Sequence, residues 1–298
     1  MYAISLGIIA SFFFALTFIL NRSMALEGGS WLWSSSLRFW FMAPLLLLLV
    51  GLRGSLGQSL RHLRHHALAY LFWSTLGFGL FYAPLTFAAA YAPGWLVAGS
   101  WQITIIAGSL LMPWVARHPV PWRGLRWSAL ILSGIALMLW QQARVLSVNQ
   151  MLTGFLPVLL AAFMYPLGNR KMLALCGDEV DTLQRVLNMT LASLPFWLLI
   201  ALGGLITSGV PSKEQMGQAF LVALFSGVIA TVLFFAATRR VRDNPQQLAA
   251  VEATQSGELL FTLAGEILLL NSVLPSSLAV AGIVLVMLGM CAHSVRAR

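Results

Sequence analysis

Ten apolar runs divide the chain, at residues 3–21, 31–51, 67–90, 95–115, 127–143, 152–169, 184–206, 217–238, 247–269 and 276–293. A helix needs about 20 such residues to cross the hydrocarbon core of a bilayer. Barrel strands would instead alternate apolar and polar residues over about ten positions, and no such alternation is present. The pattern predicts an all-α polytopic membrane protein with ten transmembrane helices. Two divisions rest on local features. The turn signal Tyr91-Ala92-Pro93-Gly94 separates spans three and four. Span nine is interrupted by its own carboxylates.

Composition agrees with this picture. The chain is 59% hydrophobic and 9% charged, against about 25% charged residues in a soluble domain. Its net charge of +9 is confined largely to the gaps between runs. One alternating set of gaps and the tail hold thirteen basic residues: Arg53, Arg61, Arg64, Arg117, Arg123, Arg126, Arg170, Lys171, Arg239, Arg240, Arg242, Arg296 and Arg298. The other set holds Arg22, Arg144 and Lys213. By the positive-inside rule the first set is cytoplasmic, and both termini lie inside. This is an orientation signal rather than a nucleic-acid footprint, so no nucleic-acid partner is expected. Cys176 and Cys291 are far apart and imply no disulfide framework. The first run has no basic leader and no small-residue cleavage site, and reads as a retained span.

Short strings recur at a near-constant offset. Asn21-Arg22-Ser23-Met24 returns as Asn169-Arg170-Lys171-Met172, 148 residues later. Arg38 and Met42 return as Arg185 and Met189 at 147, and Phe87-Ala88-Ala89 as Phe235-Ala236-Ala237 at 148. Ser133-Gly134-Ile135-Ala136-Leu137 matches Ala281-Gly282-Ile283-Val284-Leu285 at 148, and Gln102 matches Gln255 at 153. The order argues for a duplicated five-helix unit, residues 1–148 and 149–298. Five is odd, so the second copy is inverted in the membrane. Inverted repeats place substrate sites near the midplane and support alternating access.

Gly265-Glu266 near the end of span nine, Leu274-Pro275 after it, and the glycine-containing last span resemble the drug/metabolite transporter superfamily. Gly99-Ser100-Trp101-Gln102-Ile103-Thr104 and Glu252-Ala253-Thr254-Gln255-Ser256-Gly257-Glu258 are most similar to the putative multidrug resistance efflux transporter family. The resemblance covers the whole chain. It implies a secondary transporter of the inner membrane and leaves the substrate open.

Span nine holds three of the nine acidic residues of the chain. Counted from the cytoplasmic entry, Glu252, Glu258 and Glu266 lie roughly 9, 18 and 30 Å deep. Gln255, Ser256 and Thr262 share a broad arc with Glu252 and Glu266, and Glu258 is at its edge. Charged side chains in a membrane face a bundle interior or a cavity. Glu258, nearest the midplane, suits a proton carrier because a carboxyl can be neutralised by protonation. Each acid also has a structural reading, as a group hydrogen-bonded to a neighbouring helix; for Glu266 an interfacial position is the expectation. Arg38 and Arg185 are the candidate counter-charges. Matched depth pairs Arg185 with Glu252, and Arg38 with Glu258 or Glu266, while Arg185 could instead snorkel to the lipid surface. Trp101 and Gln102 are expected to line the cavity; Trp31, Trp33, Trp95, Trp122 and Trp127 read as interfacial residues. His62, His65 and His66 fall in a basic loop read as solvated, and no metal or cofactor site is expected.

The substrate- or proton-binding candidates are therefore Glu258, Glu252, Gln255, Trp101, Gln102 and Arg38. They fit a proton-coupled exporter of small organic molecules, drugs or cations among them. An aromatic pocket with a carboxylate suits a hydrophobic cation. The alternative is an exporter or uniporter of amino acids or other metabolites, with Arg38 facing the cavity. An enzyme acting on lipid precursors would need a cluster of acids or histidines at one face, and Asp178, Glu179 and Asp181 look like a solvated linker. Expected partners are the substrate, protons and membrane lipids, with the chain a monomer or homodimer.

Overall fold

The computed structural model describes residues 2–115, 120, 122–142, 147–241, 247, 250–251 and 254–296. Glu252 and most of the stretch before it lie outside the described residues. The described residues form helices and connecting turns, with no strand among them. In lipid every backbone N–H and C=O must be satisfied within the protein, and a helix does this within one segment.

The elements are α1 (Tyr2–Leu26), α2 (Trp31–Leu52), α3 (Leu56–His65), α4 (Ala67–Tyr91), α5 (Gly94–Trp101), α6 (Ile103–Leu110), α7 (Met112–Val115), α8 (Trp122–Gln142), α9 (Val148–Cys176), α10 (Thr182–Ser208), α11 (Lys213–Arg240), α12 (Ser256–Leu269) and α13 (Ser277–Arg296). Six of them hold segments long and apolar enough to cross a membrane: α1, α2, α4, α9, α10 and α11. Shorter apolar stretches run over Trp127–Gln141 in α8 and Ser277–Ala292 in α13. The chain is thus a multi-pass helical membrane protein. Large apolar side chains such as Leu199, Leu202, Leu205 and Ile206 of α10 point outward, where a bilayer takes the place of a core.

Local chemistry sets the ends. Asp181 caps α10, accepting from the Gln184 backbone N–H at 2.9 Å while the Gln184 side chain accepts from the Asp181 N–H at 2.7 Å. This is a capping box. Gly209 ends α10 at φ 70°, a conformation that favours glycine. Two long helices widen internally to π geometry, α4 at Thr75–Gly79 and α11 at Val222–Ala230.

Three features differ from the sequence expectation. The predicted fourth span is three short pieces, broken at Gln102 and Leu111. The Gln102 side-chain amide turns back to donate to the Ala98 carbonyl at 3.0 Å, competing with the helical ladder. The basic loop before α4 contains a helix, α3, and His62 is buried rather than solvated. Trp95 is buried within the protein rather than facing lipid, because the turn that carries it packs against α12.

Close packing joins α8 to α13, α2 to α10, α4 to α9 and α1 to α11. Glycines allow the closest approaches. A Cβ on Gly168 would collide with the Gly77 backbone, and a Cβ on Gly282 would sit 2.6 Å from the Gly134 carbonyl oxygen. The mid-height space between α1, α2, α4, α5, α9, α11 and α12 is left partly unfilled, and it holds the site.

Candidate functional site: a central cavity

A partly open cavity of about 610 Å³, open solvent included, is lined by residues of both halves of the chain. Half of its lining residues are aromatic, with Phe14, Phe39, Phe81, Trp101, Tyr165 and Phe235 among them. Trp101 is held edge-on to Tyr165 (centroids 5.3 Å apart) and tilted on Phe81 (4.9 Å). The polar groups in the lining are few: Thr17, Arg38, Ser226, Thr231, Gln255 and Glu258, besides the Tyr165 hydroxyl.

Arg38 is 5% exposed. Its guanidinium carbon lies 4.1 Å from the centre of the Tyr82 ring, within cation–π range. Asn21 fixes that ring, donating from Nδ2 to the Tyr82 hydroxyl at 2.9 Å. The guanidinium donates to Ser226 Oγ at 3.2 Å and, more weakly, to Thr17 Oγ1 at 3.4 Å. Those two hydroxyls are hydrogen-bonded to each other. Arg38 Nε has no hydrogen-bond partner among the described residues.

Glu258 lies in the first turn of α12 and is 3% exposed, on the cavity wall. Among the described residues the close pairings of opposite type are Arg53 with Asp181 (4.0 Å) and His62 with Glu179 (3.6 Å), the second an ion pair only when the ring is protonated, and neither involves a residue of the cavity lining. The expected pairing of Arg38 with Glu258 or Glu266 is therefore not formed. Arg38 is taken up by Tyr82 and two hydroxyls, and Glu266 by backbone. Arg185 does not snorkel: it is 9% exposed, with its guanidinium 4.4 Å from the Phe235 ring centre. Its expected partner Glu252 lies outside the described residues.

Glu266 follows its structural reading, an acid hydrogen-bonded to a neighbouring helix. It is 1% exposed, and its two carboxylate oxygens accept the backbone N–H groups of Gly94 (2.8 Å) and Trp95 (3.0 Å). It thus caps the N-terminus of α5, where free N–H groups and the helix dipole favour an anion. Arg22 serves the other side of the same turn, donating to the Ala89 and Ala90 carbonyls at the end of α4 (3.1 and 3.3 Å).

Of the six candidates, Glu258, Gln255, Trp101 and Arg38 line one cavity. Gln102 is fully buried and does not, since its amide is folded onto Ala98. Sequence reasoning missed Thr17 and Ser226, which hold the Arg38 guanidinium. Single hydroxyl residues in apolar helices carry no positional signal, and only the neighbouring helix reveals their role.

Comparison with known proteins bears on what such a cavity does. The chain is 55% identical over 306 aligned residues to "Uncharacterized protein YjlA" of Bacillus subtilis (strain 168), covering 99% of this chain and 94% of that protein. It is 48% identical over 267 residues to the "Uncharacterized 42.1 kDa protein in intracellular alkaline protease 3'region" of Shouchella clausii, covering 87% of this chain and 70% of that protein. Residues 1–298 match the EmrE family, described as "Putative multidrug resistance efflux transporter". An aromatic cavity within an apolar helical bundle accords with that assignment, and the chain belongs to the EmrE family of efflux transporters.

Proposed function

We propose that the protein is a secondary transporter that exports small organic molecules through the central cavity by alternating access, driven by protons that exchange on Glu258. The observation that carries this reading is a carboxylate on the wall of a membrane-embedded cavity with no basic side chain in ion-pair contact among the described residues. Such a group can exchange a proton for a substrate without first breaking a salt bridge. Glu252, outside the described residues, belongs to the same proposal as a second acid on the cytoplasmic side.

The architecture we propose is two inverted five-helix units, residues 1–148 and 149–298, with both termini cytoplasmic in the cell's inner membrane. Helix packing supports it. α1 meets α11 and α12, while α9, at the matching place in the second unit, meets α4 and the α5–α6 rod. α2 packs on its mate α10, and α8 on its mate α13, where Gly134 meets Gly282. Mates in mutual contact are expected on a pseudo-two-fold axis.

The test is flux in proteoliposomes under an imposed pH gradient. Flux that follows the gradient in the wild type and loses that dependence in Glu258→Gln is expected. Flux indifferent to the gradient, and intact in Glu258→Gln, would overturn the coupling.

A further inference from the structure

We infer that the substrate of this cavity is a zwitterion with an apolar body: a carboxylate held by Arg38, an amine held by Glu258, and a side group packed on the aromatic walls. This rests on the proposed transport reading and names the class of molecule it would carry. Three observations combine. First, Arg38 is a permanent cation, almost wholly removed from solvent, on the cavity wall. A buried charge calls for a counter-charge. Arg38 has none among the described residues, only two hydroxyl acceptors at 3.2 and 3.4 Å and an aromatic face, with Nε left over. Second, the described acid lining the same cavity is not spent on Arg38, so each charge keeps its capacity for a ligand group. Third, Tyr82, Thr17 and Ser226 hold the guanidinium, and Asn21 holds Tyr82 in turn, which makes it a built anion site rather than a passing side chain.

The charge balance then selects the ligand. A lipophilic monocation entering to meet Glu258 would share a low-dielectric space with a fixed guanidinium, and like charges there repel strongly. A lone anion would satisfy Arg38 and face Glu258. A zwitterion satisfies both, and the arene walls supply apolar contact for its side group. The polar lining is sparse, so these two charged groups would set specificity.

The experiment is calorimetric titration of the purified full-length protein with four probes: L-phenylalanine, carrying both charges; phenethylamine, the cation alone; 3-phenylpropionate, the anion alone; and tetraphenylphosphonium, a lipophilic cation. Phenylalanine is expected to bind about tenfold or more tighter than the other three. Arg38→Gln should weaken phenylalanine and phenylpropionate by about tenfold or more and tighten phenethylamine, which no longer meets a like charge. Phenethylamine or tetraphenylphosphonium binding as tightly as phenylalanine would overturn the inference, as would an Arg38→Gln loss equal for all probes. If Arg38→Gln does not fold, the wild-type ranking decides alone. Preferred binding and gradient-driven flux of the cations would overturn the zwitterion and leave the transporter standing. Absence of both binding and flux for all four would overturn the two together.

Discussion

Glu258 and Glu266 stand about two turns apart on α12, both all but removed from solvent, in opposite surroundings. Glu266 accepts two backbone N–H groups and lies within reach of the Arg22 charge. Each of its two oxygens is used by the protein itself, by a helix that starts far away in sequence. Glu258 has an open cavity before it and no ion-pair partner among the described residues. One acid is consumed by architecture and the other is kept available. The difference teaches that burial of a carboxylate in a membrane protein says little by itself; the inventory of donors around it separates scaffold from site.

The strongest way to break this comparison is Glu266→Ala. It strands the N–H groups of Gly94 and Trp95 and removes the counter-charge near Arg22. Removing one member of a buried charged set costs about 3–5 kcal/mol, and the expected readout is a large fall in thermal stability in detergent. A normal melting temperature would mean the cap is dispensable. Glu258→Gln is the converse. It removes a buried charge that the protein does not pair, so stability should hold or rise, while gradient-driven flux falls on the order of a hundredfold, the scale of a lost proton-transfer group. A fall in stability comparable with that of Glu266→Ala would make Glu258 a scaffold residue as well. Arg22→Gln should come next, at about 1–2 kcal/mol, because it loses hydrogen bonds from a charged group to two carbonyls. The Arg22→Gln, Glu266→Ala double mutant should cost less than the sum if the two act on one turn.

The smallest effect concerns His62, at the basic end and outside the membrane-spanning segments. Burial chiefly, then the charge of His66, lowers its proton affinity below that of an ordinary histidine, with Glu179 acting the other way. The folded state therefore disfavours the charged ring. Its contribution to stability is complete above the ordinary histidine value of about 6.5 and is lost as pH falls through and below it. Melting temperature should drop on acidification from that point, and less steeply in His62→Gln. Equal slopes in the two proteins would remove His62 from the account.

Much of the helical layout could be read from apolar run length, because a bilayer leaves a chain few other ways to satisfy its backbone. The sequence expectation begins α2 at Trp31 and α4 at Ala67, as observed, and underestimates α9, which continues past Asn169-Arg170 to Cys176. Hydropathy falls at Arg170, yet Arg170 donates to the Gly108 carbonyl and Lys171 to the Trp114 carbonyl, so the helix persists on partners that a one-dimensional profile does not contain. The same limit explains Glu266 and Trp95. Their fates were decided by each other, 171 residues apart in the chain. Arg38 was legible as an intramembrane charge but not as a cation resting on Tyr82, since nothing in the local pattern ties it to Asn21, Thr17 or Ser226. The break at Gln102 was invisible because a glutamine inside an apolar run looks the same whether it lines a cavity or folds onto its own helix.

The contact between Gly77 and Gly168 has a consequence for mutational tolerance. Here α4 and α9 touch backbone to backbone, and the Asn169 side chain reaches the Gly77 carbonyl at 3.3 Å. A library covering every substitution at Gly168 should therefore return only the parent residue, as sharply as any position that handles cargo. Such a position would score as essential in a growth screen though it meets no substrate. Surface abundance scored beside growth separates the two cases: variants at Gly168 vanish from the membrane, whereas variants at Glu258 remain there and are silent.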